Sequence, residues 1–286
     1  MIAHVAAAGE QRGRVVLQLT SGRPNRIALL AALRVAKAFE SEIESLFVED
    51  QNLYACAGFP FASEISLCGR GRRPLSEESI AAQLRHLESA IGRELVTLAR
   101  NAEVPLRQTV VRDEPFAALA RACAERGPWN VIALGGTVDG TSGDALRRMF
   151  DTVHDTTGVI VAGPRARGQA GPLVVVLEDV TQLEPMLRTA KRLVPEESPV
   201  TLVLVADATD TSARMEGEVR LVLGSDDRVI IARAVVAEGG EAALYEVLRR
   251  LHGGFAIGQF GGRLVPSSGD IRHLVASLEC PLLIMR

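Results

Sequence analysis

Short apolar runs alternate along this chain with longer segments whose apolar positions step by three or four, which predicts strands and helices in turn. Val15–Thr20 is a continuous apolar run ending at Thr-Ser-Gly, and Arg26–Glu40 follows with Ile27, Leu30, Ala31, Val35 and Ala38 at helical spacing. Glu44–Glu49 reads as a second strand, and Ser76–Ala102 as a long helix with Ile80, Leu84, Leu87, Ile91, Leu95 and Leu98 on one face. Ser76 is placed to cap it, and Glu77 and Glu78 suit the positive N-terminal end. Leu106–Val111, Val131–Leu134 and Val159–Ala162 complete a set of five strands. Pro115–Arg126, which opens on a proline, and Ala145–Asp155 are the helices between them. The strands are apolar throughout rather than alternating, so they belong to a parallel sheet covered on both faces.

A Gly- and Pro-rich stretch around 165–171 lacks apolar periodicity and reads as a linker. The pattern then restarts. Leu173–Leu177, Val200–Val205, Val229–Val236, Phe255–Ile257 and Leu282–Met285 are strands, and Leu183–Leu193, Glu241–His252 and Ser268–Glu279 are helices. The chain is thus a tandem repeat of one α/β unit, with domains over 1–164 and 172–286. The first copy is longer because of an excursion, Gln51–Pro74, and the helix from Ser76; the second copy has Asp207–Arg228 there, room for a short helix at best.

At 286 residues and 30.6 kDa the chain suits two domains of roughly 140. A net charge of −3 gives no field to draw nucleic acid or an anionic membrane, so neither is expected as a partner. Only Lys37 and Lys191 are lysine among 32 basic residues, which points to a GC-rich bacterial coding sequence. No cysteine pair is spaced C-x-x-C and the histidines are scattered, so no zinc or thioredoxin-type site is expected. No secretory signal is read at the N-terminus and no apolar run approaches the ~20 residues of a membrane span, so the expectation is a reducing cytoplasm. No G-x-x-x-x-G-K-[S/T], G-x-S-x-G or nucleophile–base set is visible, which leans the reading away from an enzyme.

Several anchors carry a resemblance. Gly258-Gln-Phe-Gly-Gly leads through a helix to Cys280-Pro-Leu-Leu-Ile-Met285, and Val111-Arg-Asp-Glu-Pro115 leads through a helix to Asn130-Val-Ile-Ala-Leu-Gly135. Both resemble the universal stress protein family, and the likeness covers nearly the whole chain as two copies. It implies an α/β, Rossmann-like fold: a doubly wound parallel five-stranded sheet of order 3-2-1-4-5 in each half. It also implies that the halves pack as an intramolecular pseudo-dimer through Val159–Ala162 and Leu282–Met285, making a continuous ten-stranded sheet.

In such sheets a ligand crevice lies where strand order reverses. Glycines there bare backbone N–H groups to an anion, and a following helix N-terminus adds positive potential. Family members that bind ATP carry G-x2-G-x9-G-[S/T] and an aspartate ending strand one. In the second half Gly258 and Gly261 keep the first spacing, but seven residues separate Gly261 from Gly269, Ser268-Gly269 is reversed, and Glu178 replaces the aspartate. The candidate set is Glu178, Gly258, Gly261, Gly262, Ser267, Ser268 and Gly269, with either serine alternatively a plain N-cap. A weaker first-half set is Thr20, Gly135, Gly136 and Gly140. The resemblance implies a non-catalytic stress-response regulator or binding protein with degraded nucleotide loops. Two alternatives stand beside it: an ATP- or AMP-binding protein using Gly258–Gly269, and a purely structural interaction module. The aromatic-rich segment Gln51–Arg73 either covers its own sheet edge or forms an interface for a homo-oligomer.

Overall fold

The computed structural model describes residues 13–22, 24–65, 71–125, 130–135, 143–153, 156–167, 171–236, 240–268 and 271–286. The first half contains β1 (Arg14–Leu19), α1 (Arg26–Ala38), β2 (Glu42–Asp50), α2 (Gln51–Ala57), β3 (Ser63–Ile65), β4 (Arg72–Pro74) and α3 (Glu77–Ala102). It continues through β5 (Leu106–Asp113), α4 (Pro115–Ala124), β6 (Asn130–Leu134), α5 (Gly143–Thr152) and β7 (Thr156–Val161). The second half contains β8 (Leu173–Leu177), α6 (Leu183–Leu193), β9 (Val200–Ala206), α7 (Thr209–Leu223), β10 (Val229–Val235), α8 (Gly240–Arg250), β11 (Phe255–Gln259), α9 (Arg272–Ser277) and β12 (Leu282–Met285).

The strands form one ten-stranded sheet of order β10-β9-β8-β11-β12-β7-β6-β1-β2-β5. Each half therefore has the expected 3-2-1-4-5 order. Pairing is parallel everywhere except at the centre, where β7 and β12 run antiparallel with Ile160 opposite Leu283 and Val159 opposite Ile284. Joining the two last strands removes two bare edges that would otherwise template foreign pairing. The outer edges are β5 and β10, and unlike the buried inner strands both carry exposed residues along their length.

The sheet divides the apolar core by face, not by half. One layer packs under α1, α3, α6 and α7 and includes Leu17, Leu29, Leu95, Leu173 and Phe255. The other packs under α4, α5, α8 and α9 and includes Leu119, Phe150, Leu244 and Val275. Both layers run through the β7–β12 junction. Glycine is required where the halves meet: a Cβ at Gly163 would lie 1.8 Å from the Val275 carbonyl oxygen of α9. Helices α1 and α6 also exchange arginines. The Arg34 guanidinium donates to the Leu193 carbonyl at the end of α6 (3.0 and 2.9 Å), and that of Arg192 lies over the Phe39 ring just past α1. Each cation thus meets the partially negative C-terminal end of the opposite helix.

Three expectations need correction. The Asp207–Arg228 region holds a fifteen-residue helix, α7. Its buried Ser212, Met215 and Val219 step by three and four, but exposed Leu221 and Val222 blurred that stripe. The last helix is six residues, Arg272–Ser277, not Ser268–Glu279. The loop before it consumes residues in a bridge from Phe260 to Val265, and Pro281 favours an extended residue ahead of it. Ser267 and Ser268 are exposed and do not cap it; its N-cap is Ile271. The described residues of the excursion form α2 and the antiparallel pair β3–β4, with Leu75 N–H donating to the Ala62 carbonyl (3.1 Å).

Under the N-terminal ends of β1, β2 and β6 lies a buried ion pair. Arg14 pairs with Glu44, donates to Asn130 Oδ1 (2.8 Å) and to the Ala122 carbonyl, and Thr109 donates to the second Glu44 oxygen (3.1 Å). Both charged side chains are almost fully shielded. Such a pair contributes little against an apolar replacement, but removing one partner strands the other charge. Glu44→Ala is expected to destabilise the fold by about 3–5 kcal/mol, measured by urea denaturation.

Candidate functional site

In the second half, strand β8 delivers Glu178 to the point where strand order reverses, opposite the loop after β11. One Glu178 oxygen accepts from the Leu264 N–H at 2.9 Å, and the other accepts from the Arg263 N–H. Gly262 makes room for it: a Cβ there would lie 2.6 Å from Glu178 Oε1. Gly261 supplies the turn, with φ +86°, and its N–H donates to the Val265 carbonyl (2.8 Å). The Arg263 guanidinium is held by Asp207, which follows β9, at 2.5 and 2.6 Å. Gly258 is the penultimate residue of β11, where a Cβ would meet Leu264 Cδ2 at 2.8 Å. Asp179 turns the other way and caps the turn Val180–Gln182 through the Thr181 N–H (2.9 Å).

Glu178, Gly258, Gly261 and Gly262 are therefore brought together, and Arg263, Leu264 and Asp207 join them. Ser267 and Ser268 lie farther along on an exposed bend, and Gly269 lies outside the described residues. The arrangement is an anion cradle filled from within. Two amides that bare glycine loops offer to a phosphate are taken by a carboxylate, and the nearby arginine is matched by an aspartate. A phosphate group does not fit this geometry, since it would face two acidic side chains.

At the first-half counterpart the described residues make different contacts. The Gly135 N–H donates to the Gln18 carbonyl (2.9 Å) and its carbonyl accepts from the Asn25 N–H (2.8 Å). A Cβ at Gly135 would lie 2.7 Å from Leu19 Cδ2, so this glycine serves close packing on β1. Asn25 caps α1 by accepting from the Ile27 N–H (2.9 Å), while its amide donates to the Ala162 and Gly163 carbonyls (3.0 and 3.3 Å). That link from α1 to the end of β7 was missed in the sequence; an asparagine directly before a helical pattern was the available signal. Thr20 is half-buried just past β1, and Gly136 and Gly140 lie outside the described residues.

Farther along the same sheet edge, Tyr54 of α2 donates to Glu49 Oε2 (2.8 Å), and the Arg112 guanidinium sits 3.7 Å from the centre of the tyrosine ring. Burial and the Glu49 carboxylate hold the Tyr54 hydroxyl pKa above its usual value, so it stays a proton donor to Glu49 at neutral pH. Cys280 is buried, and burial pushes its thiol up to about 12. Among the described residues, no three His, Cys, Asp or Glu side chains are placed to hold a metal ion.

No protein-family model matches the chain, and no curated protein matches it. Solved structures do. A universal stress protein from Archaeoglobus fulgidus DSM 4304 superposes with a TM-score of 0.62 at 14% identity, covering 96% of this chain and 97% of that one. The chain has the universal stress protein fold. A protein from Pseudomonas aeruginosa UCBPP-PA14 assigned to the same class superposes with a TM-score of 0.57 at 12% identity, covering 97% of this chain and 94% of its own. The cytoplasmic domain of a prokaryotic cation chloride cotransporter gives a TM-score of 0.54 at 12% identity, with 96% and 95% covered. The universal stress fold thus serves more than one kind of protein, and function has to be argued from the site.

Glu178 satisfies two loop amides, so Glu178→Ala is expected to cost about 1–3 kcal/mol in urea denaturation. Gly262→Ala displaces the same carboxylate, so the double variant should lose much less than the two single losses added.

Proposed function

We propose that this protein is a non-catalytic binding or regulatory module of the universal stress type, acting in the cytoplasm, whose second-half nucleotide mouth has been sealed by its own chain. The observation that carries this reading is the Glu178 carboxylate on the Arg263 and Leu264 amides. Displacing it would require breaking two charge-assisted hydrogen bonds and bringing a polyanion beside Asp207. The absence of a nucleophile–base set in the sequence supports binding over turnover. Calorimetric titration with ATP, ADP and AMP is expected to show no saturable heat up to millimolar ligand. Saturable binding of any of the three overturns the reading in favour of an adenine-nucleotide protein.

The partner surface in this proposal is the excursion Gln51–Arg73, taken as a self-association patch. Phe59 and Phe61 stack on each other with ring centres 5.5 Å apart and remain 53% and 77% exposed, and Ile65 is 67% exposed. Large apolar side chains grouped in this way on a surface mark contact sites. Nucleic acid and membrane are not partners in this reading. The charge balance is negative, and no described helix is long and apolar enough to cross a membrane. Light scattering is expected to give a mass above that of one chain, and Phe59→Ser with Phe61→Asp should return it to the monomer value. A wild-type mass equal to one chain, or a mass the double substitution does not change, removes the excursion from the proposal.

A further inference from the structure

Between α1 and α6, on the sheet face where the halves join, lies a cleft of about 540 Å³. That volume is in the range of sites that enclose a small molecule. Its floor comes from both halves: Val15 and Val131 of β1 and β6, and Leu283 and Met285 of β12. Phe39, Val131 and Met285 are each only half-buried, so apolar surface is left facing the cleft.

The charge of the lining is one-sided. Among the described residues, three arginines border the cleft and no Asp or Glu does. Arg14 is neutralised by Glu44 behind it. Among the described residues, Arg188 is engaged by Glu184 on its own helix, an exposed pair of the kind that contributes almost nothing. Arg192 rests against the Phe39 ring, and among the described residues no carboxylate pairs with it. The Arg188 and Arg192 guanidiniums, four residues apart on α6, thus stand on one side of an apolar chamber, Arg188 with one of its five donors on Glu184 and Arg192 against a ring. Thr157 and Thr189 add hydroxyls to the same lining.

We propose that this cleft binds an amphipathic monoanion, a free small molecule with a carboxylate-like head on an apolar body. The head pairs with Arg188 and Arg192, and the body covers Phe39, Val131 and Met285. A planar guanidinium fork matches a carboxylate in two parallel hydrogen bonds, which a hydroxyl head cannot reproduce. Because the walls belong to both halves, the ligand would bridge α1 to α6 and stabilise the junction. The site is separate from the sealed mouth at Glu178, and its test stands or falls independently of nucleotide binding.

The probe is decanoate below its aggregation concentration, titrated calorimetrically against the full chain, with decanol as the uncharged control. Decanoate is expected to bind once per chain and to raise the melting temperature, and decanol at least about tenfold more weakly. Arg188→Glu with Arg192→Glu should weaken decanoate by about tenfold or more, while Arg188→Glu alone, which leaves the Arg192 contact with Phe39 in place, should weaken it several-fold with the unliganded melting temperature nearly unchanged. Val131→Phe should fill the chamber and abolish binding. The proposal is overturned if decanol binds as well as decanoate, if the charge reversals leave affinity unchanged, or if Phe59→Ser with Phe61→Asp abolishes binding, which would place the ligand on the excursion. Co-sedimentation with phosphatidylglycerol vesicles in place of decanoate binding would likewise overturn it in favour of a membrane headgroup.

Discussion

The antiparallel pairing of β7 with β12 is the constraint on which the rest of this structure depends. Two doubly wound sheets each end in an unpaired fifth strand, and each end left bare would leave a row of N–H and C=O groups unsatisfied or open to foreign strands. Pairing them makes one sheet of ten strands and lets two core layers run uninterrupted through both halves. The close approach then dictates local sequence. Gly163 admits no side chain against Val275, and Gly158 sits against the Ile284 carbonyl, where a Cβ would be 3.1 Å away. The same geometry sets α1 beside α6, so that Arg34 and Arg192 each reach the end of the opposite helix.

At the two points where strand order reverses, the described residues make structural contacts of different kinds. In the second half the Glu178 carboxylate takes the Arg263 and Leu264 amides, and Gly262 is needed to admit that carboxylate. In the first half Gly135 closes onto β1, and Asn25 ties the start of α1 to the end of β7. Glycine loops at strand-to-helix turns therefore do not by themselves indicate an anion site: what matters is which acceptor the amides already have. At the junction, by contrast, arginines of α6 meet apolar surface from both halves.

Arginine is the working cation of this chain, and its roles follow from its environment. Buried at Arg14 it holds three strand ends through Glu44, Asn130 and a carbonyl. On rings it stacks, as Arg112 does on Tyr54. At helix ends it caps, as Arg34 does. Lysine, a strongly hydrated point charge, suits few of these planar and multidentate tasks.

The sequence by itself determined the tandem α/β architecture, because continuous apolar strands and helical apolar stripes report burial directly, one element at a time. It also placed Glu178 and Gly258–Gly262 at one strand-order reversal, since glycines and strand ends are local features. It hid α7, where Leu221 and Val222 break the stripe, and it overextended the last helix, because the Phe260–Val265 bridge that delays it is not a local property. Only the tertiary structure decided that Glu178 fills the cradle it was expected to line, because residues 85 and 86 positions apart meet there. Only the tertiary structure decided that Arg188 and Arg192 share a chamber with Val131 and Met285, because that chamber exists solely where two repeats pack. Periodicity encodes which face of an element is buried; contacts between distant segments depend on how those faces are assembled.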